Sequence, residues 1–270
     1  MLSIGAIFAL GQPQLLKRTT YKTDKFDFGP GGTVVITGAP LGSIRVEGTQ
    51  KGEIEISAEI EVQAATEADL AELAKVTTFT TEESIANTGI RSVGTNDAKY
   101  MKQVAKKIPK KLMGIPYRID YVIKVPHYCD LQIDGGKGDL TVSNVEGAMR
   151  VNYLESNATI ALVGGGLNLT MAAGTLDLTM PNRSWRGGAI DAALNKGTMS
   201  VHLPSNVSAE MDATILRTGA IENAFGDFKP RDRKVPFTEK SVQGKAGSGG
   251  VTMKYTVGDG TLKLMKIGKE

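Results

Sequence analysis

Few side chains in this sequence are suited to covalent or acid–base chemistry. Cys129 is the sole cysteine, and His127 and His202 are the only histidines. In a strand, His127 and Cys129 would share one face, and a reactive thiol needs a nearby base of that kind. The plainer reading of Cys129 is a small buried hydrophobe. A single cysteine excludes an intrachain disulfide. Asp130, Asp134, Asp139 and Asp177 have the chemistry that polysaccharide-cleaving β-helices group on one surface, but no spacing pairs two of them at a defined separation. Asp134 and Asp139 sit in or beside turns, where aspartate is common. Gly135-Gly136-Lys137-Gly138-Asp139-Leu140 approaches a calcium-binding nonapeptide, but it is one residue short before Asp139 and does not recur. Gly164-Gly165-Gly166 lacks the following helix that a phosphate loop needs. The expectation is therefore no catalytic residue, no metal site, no cofactor and no enzymatic activity.

Two surface features are sharper. Lys99, Lys102, Lys106, Lys107, Lys110 and Lys111 alternate with Met101, Val104, Ile108, Leu112 and Met113, in a stretch broken by Pro109. Such a segment suits an anionic membrane or envelope polymer. It suits equally a solvated connection packing its apolar side on the body of the protein. Trp185, the only tryptophan, stands between Arg183 and Arg186. It could stack on a sugar ring or fill a gap where a repeat slips. Asn157, Asn168, Asn182 and Asn206 begin N-x-S/T triplets, which matter only in a glycosylating secretory route.

Composition narrows the classes further. A net charge of +3 and 6% aromatic residues offer neither a concentrated basic footprint nor a stacking platform, so nucleic acid is not an expected partner. Leu2 to Leu10 is apolar but too short to span a bilayer. With the small residues before Gln12 it reads as a secretory signal lacking its basic start, or else as a buried first strand. The signal reading implies an extracytoplasmic protein, secreted, periplasmic or on the cell surface.

The elements that would carry these residues are strands. Apolar pairs recur at Leu131/Ile133, Leu140/Val142, Met149/Val151, Leu167/Leu169 and Leu176/Leu178, with Ile160 filling the gap. Their second members step by nine residues from 133 to 178. Alternation within each run predicts a strand with one buried face, and the glycines between runs predict turns. The even step favours a solenoid over a Greek-key sandwich. The rhythm loosens over 181–188 and then resumes. Val34/Ile36, Ile44/Val46 and Ile54/Ile56 carry a ten-residue version. Thr66 and Asp69 begin a capped helix, Thr77–Ile85 reads as a strand, and Asn87–Ala98 reads as loop. Near the end, Gly258-Asp259-Gly260 predicts a capping hairpin.

The expected organisation is an N-terminal signal or tail (1–20), N-terminal strands (21–63), a helix-containing basic insert (64–116) and a regular β-repeat domain (117–270). The fold class is mainly β, a single-stranded β-solenoid or β-helix-like stack of short strands with a small helical insert in the N-terminal half. Val125-Pro126, GGKGDLTVSNVEG from Gly135, LPSNVSAEMDA from Leu203, AGSGGVTMKY from Ala246 and GDGTLKL from Gly258 together resemble the bacterial putative-adhesin family of β-strand-repeat proteins, a domain of unknown function. The resemblance covers about 118–266 well and 27–62 more loosely, and the insert departs from it. It implies an elongated solenoid-like fold, secreted or membrane-tethered, with no catalytic residues. Candidate partners are a protein, a glycan or envelope polymer, an anionic membrane through 99–111, or further copies of the chain. Alternatives are a self-assembling bactofilin-like scaffold and a carbohydrate-active β-helix enzyme.

Overall fold

The structure, a computed structural model, describes residues 15–29, 31–84, 87–104, 108–181, 185, 187–232 and 234–267. Leu2–Leu10, with the signal expected there, lies outside them. The chain opens with β1 (Leu16–Asp27), β2 (Thr33–Thr37), β3 (Ile44–Thr49) and β4 (Glu53–Ala64), then helix α1 (Glu67–Val76). β5 (Thr78–Glu83) and β6 (Asn87–Val93) precede helix α2 (Ala98–Val104) and a 3-10 turn at Lys110–Leu112. β7 (Arg118–Pro126), β8 (Asp130–Lys137) and β9 (Leu140–Ser143) lead into β10 (Met149–Ala161), β11 (Leu167–Thr179) and β12 (Ile190–Leu203). The last elements are β13 (Ala209–Ile215), β14 (Gly219–Asn223), β15 (Lys229–Pro230), β16 (Ser241–Ala246) and β17 (Val251–Lys266). All seventeen strands join one large, open, mixed sheet.

The register explains the nine-residue rhythm. Leu131 of β8 pairs with Met149 of β10, which pairs with Leu167 of β11, so parallel neighbours are eighteen residues apart. Leu140 and Val142 of β9 pair instead with Ala158 and Ile160, in the second half of β10. Successive nine-residue steps therefore alternate between two halves of the ladder, and true neighbours are two steps apart. Leu167 pairs with Ile190 at an offset of 23, because the link over 181–188 is longer. The rhythm loosens there for that reason.

Gly147 and the glycines at 164–166 lie in links between strands as predicted, but other glycines of the array bend a strand without ending it. β11, β12 and β17 each run through a glycine of positive φ without reversing: Gly174 (φ 123), Gly197 (φ 138) and Gly260 (φ 143). The expected C-terminal hairpin is therefore a single strand. β17 lies inside the sheet, between β12 and the pair β13 and β14. These glycines share one level, and their backbones touch. A Cβ on Gly197 would lie 1.8 Å from the carbonyl oxygen of Gly174, and one on Gly260 would lie 1.8 Å from that of Gly197.

Inward side chains form registered columns. One runs Ile36, Ile133, Val151, Leu169, Ala192, Tyr255, Ala213. All seven are buried, and each large aliphatic member contributes about 1.5–3 kcal/mol by leaving water. The segment 64–116 is more than an insert, since β6 pairs in parallel with β2 and brings β5 with it. Asn87–Ala98, expected as loop, contains β6 because Thr88, Ile90 and Ser92 alternate inward and are buried. The predicted cap is present: Asp69 N donates to Thr66 Oγ1 at 3.1 Å.

Gly197→Ala should lower stability by about 3 kcal/mol, combining an unfavourable φ with a backbone clash. Gly29→Ala, where a Cβ meets nothing within 4 Å, should shift it by less than about 0.5 kcal/mol. Urea unfolding of both variants measures the contrast.

Candidate interaction surfaces

The lysine segment divides into an inner and an outer side. Met101 and Leu112 are buried and Ile108 packs against the core, so the apolar positions dock the segment on the sheet. Lys99, Lys102 and Lys110 are exposed, as are Val104 and Met113. Lys111 is different, because its ammonium donates to Asp69 Oδ2 at 2.7 Å and ties the 3-10 turn to α1. Lys106 and Lys107 lie outside the described residues. α2 starts where Asp97 accepts from Tyr100 N at 2.9 Å and pairs with Arg91.

Trp185 is half-buried, packs against the core, and donates from Nε1 to Gly188 O at 3.1 Å. Its ring closes over Gly187, in the long link before β12. Arg183 and Arg186 lie outside the described residues.

The candidate acids each have a neighbour of their own. Asp130 accepts from Ala148 N at 2.7 Å, Asp134 from Asn152 at 2.8 Å and Asp139 from Asn157 at 3.1 Å, while Asp177 faces His202 at 3.1 Å. Among the described residues, no three His, Cys, Asp or Glu side chains gather as a metal site. Cys129 is in the core, and burial pushes its thiol up to about 12. His127 turns away from it, with Nδ1 2.7 Å from Asn144 O.

Sequence reasoning did not foresee the outer surface of the long strands. Asn157, Thr175, Thr198 and Thr261 stand in one registered row. Thr141, Thr159, Asp177, Ser200 and Lys263 form the next. Strands are spaced by about 4.8 Å, so the rows set hydroxyl, amide and charged groups at regular intervals. Hydrogen bonds join the first row along the strand-to-strand direction, Asn157 to Asp139 at 3.1 Å and Thr175 to Asn157 at 2.9 Å. The signal was the polar residue after each bend: Gly138-Asp139, Gly174-Thr175, Gly197-Thr198, Gly260-Thr261. Elsewhere, Leu154 and Leu216, 55% and 60% exposed, border a shallow apolar trough of about 700 Å3 floored by Ala172, Ala193 and Gly258.

No family model matches this chain, and no curated protein matches it. Among solved structures, a putative cell adhesion protein from Clostridium sporogenes is 12% identical, over 92% of this chain and 100% of that one, with a TM-score of 0.44. A putative adhesin from Bacteroides fragilis is 11% identical over 92% and 97%, with a TM-score of 0.36. A putative lipid binding protein from Parabacteroides distasonis is 13% identical over 92% and 97%, with a TM-score of 0.30. Likeness at this level assigns no family.

The Lys111 ammonium, with Thr66 helping, holds the Asp69 carboxyl below its ordinary value of 3.8. Stability from that pair is complete above the ordinary value and fades as pH falls through the lower folded one. Lys111→Ala should therefore lower the melting temperature at pH 7, and the gap from the parent should narrow in acid. Thermal scans across the acid range check both.

Proposed function

We propose that this chain is a non-enzymatic, extracytoplasmic interaction module of the adhesin kind. In this reading its strands wind as a solenoid of two half-strands per turn, and its partner is a glycan or other envelope polymer. One observation carries the proposal: the registered rows at Asn157, Thr175, Thr198, Thr261 and at Thr141, Thr159, Asp177, Ser200, Lys263. A repeating polar polymer presents hydroxyls at intervals of its own, and a rigid face with evenly spaced donors and acceptors can meet many of them at once. Weak contacts so multiplied give useful avidity. The resemblance to the putative-adhesin family supports the same reading. The chain would then act by binding, without a cofactor.

Purified chain should be retained on at least one of a panel of immobilised bacterial envelope polysaccharides. Thr159→Lys/Thr175→Lys/Thr198→Lys should weaken retention at least about tenfold, a loss of 1.4 kcal/mol. Retention of folded parent on none of them would sink the proposal. Release of new sugar ends, lost on Asp134→Asn, would replace it with the hydrolase reading.

A second reading is favoured by the exposure of Lys99, Lys102 and Lys110 and of Val104 and Met113 in one segment. This surface suits an anionic bilayer, with cations at the headgroups and apolar tips below them. The chain should float with phosphatidylglycerol vesicles and not with phosphatidylcholine vesicles. Binding should fall between 0.1 M and 1 M salt, as the screening length shrinks from about 10 Å to about 3 Å. Lys99→Glu/Lys102→Glu/Lys110→Glu should abolish it.

A further inference from the structure

β1 is bound to the rest of the chain in an unusual way. Among the described residues it pairs only with β4, antiparallel from Leu16↔Ala64 to Asp27↔Glu53. None of its twelve residues is fully buried. Phe26 alone among them packs against the core. What holds the strand is the backbone ladder and a set of polar contacts. Lys17 meets Glu61 at 3.3 Å, Arg18 meets Glu67 at 3.0 Å and Lys25 meets Glu53 at 2.8 Å. Lys22 donates to Phe79 O at 2.7 Å, and Thr81 donates to Asp24 at 3.1 Å.

The two partners are complementary in charge. β1 carries Lys17, Arg18, Lys22 and Lys25 against Asp24 and Asp27, whereas β4 carries Glu53, Glu55, Glu59 and Glu61 and no cation. A β1 beside another β1, or a β4 beside another β4, would set like charges together, which is unfavourable. A β1 beside any β4 satisfies both. β1 ends at a fixed point, since Phe28 is buried and its N–H donates to Gly52 O at 2.9 Å. Gly29, Gly31 and Gly32 follow. Without β1, β4 would offer a twelve-residue open edge above buried Ile54, Ile56, Ile60 and Val62, and an open edge of that length is a template for another strand.

We propose that β1 is an exchangeable strand, and that β1 of one copy pairs with β4 of a second copy in the same register. Exchange preserves every contact named above and removes little apolar surface from the core during opening. It is therefore governed by concentration and by the backbone at Asp27 and Phe28. The inference is independent of the proposed function.

Thr23 and Ser57 are exposed and face each other across the two strands, and native Cys129 is buried. Thr23→Cys and Ser57→Cys are made as separate full-length proteins, each checked for folding by circular dichroism. They are mixed in mild urea, returned to buffer and oxidised. The expected product is a Thr23→Cys to Ser57→Cys covalent heterodimer, mapped by mass spectrometry, forming at least tenfold faster than either homodimer. Tyr21→Cys, two residues out of register, should not couple to Ser57→Cys at that rate. Absence of the heterodimer, or equal coupling from Tyr21→Cys, overturns the proposal.

Discussion

The structure depends on a contact in which no side chain takes part. The α-carbon of Gly197 lies against the carbonyl of Gly174, and that of Gly260 lies against the carbonyl of Gly197. Because the long strands bend at the same level, their two halves stay in register on either side of the bend. Leu176, Met199 and Leu262 align in one half, and Leu169, Ala192 and Tyr255 align in the other. A slip of one residue would turn every inward side chain outward. Ser156 occupies the same level in β10, and its hydroxyl is buried without a hydrogen-bond partner. A polar side chain left unpartnered at this level carries that desolvation cost, which glycine avoids.

With register fixed, packing follows by size. Tyr255 is fully buried between Ala192 and Ala213 in its column. The two small residues leave the room that the large ring fills, and its hydroxyl, like that of Ser156, is buried without a hydrogen-bond partner. The ends of the ladder are managed by charge and length. At one end β1 is studded with lysines, an arginine and aspartates. At the other, β14 has five residues and β15 has two. Both devices limit uncontrolled strand addition.

Much of this was legible from the sequence. Period-two alternation locates nearly every strand of the array, because most inward positions there are filled by apolar side chains. Thr66 announced its helix through side-chain chemistry alone. The failures share a cause. A glycine with positive φ looks the same whether it reverses a chain or bends it, so the bends at Gly174 and Gly260 read as turns. What decides between them is the neighbouring strand, which is distant in sequence: Gly260 meets Gly197 across 63 residues. β6 was missed because Asn87, Thr88 and Ser92 are polar, although Thr88 and Ser92 are buried. Ser92 is satisfied by the Tyr121 hydroxyl at 2.7 Å, a partner that no local pattern reveals. The hydroxyl rows were hidden for a related reason, since they exist only once strands eighteen or more residues apart are set side by side.

The placement of β17 has a mechanical consequence. This strand runs from Ile190↔Met253 to Leu203↔Lys266 along β12, while β13 and β14 flank its other side. Tension applied beyond Lys266 along the strand cannot peel β17 from an edge one bond at a time. It must slide the strand past neighbours on both sides, loading many hydrogen bonds in parallel. A pull along β1 also shears, but against β4 alone. Load along β17 is thus shared by neighbours on both sides, whereas load along β1 rests on its ladder with β4.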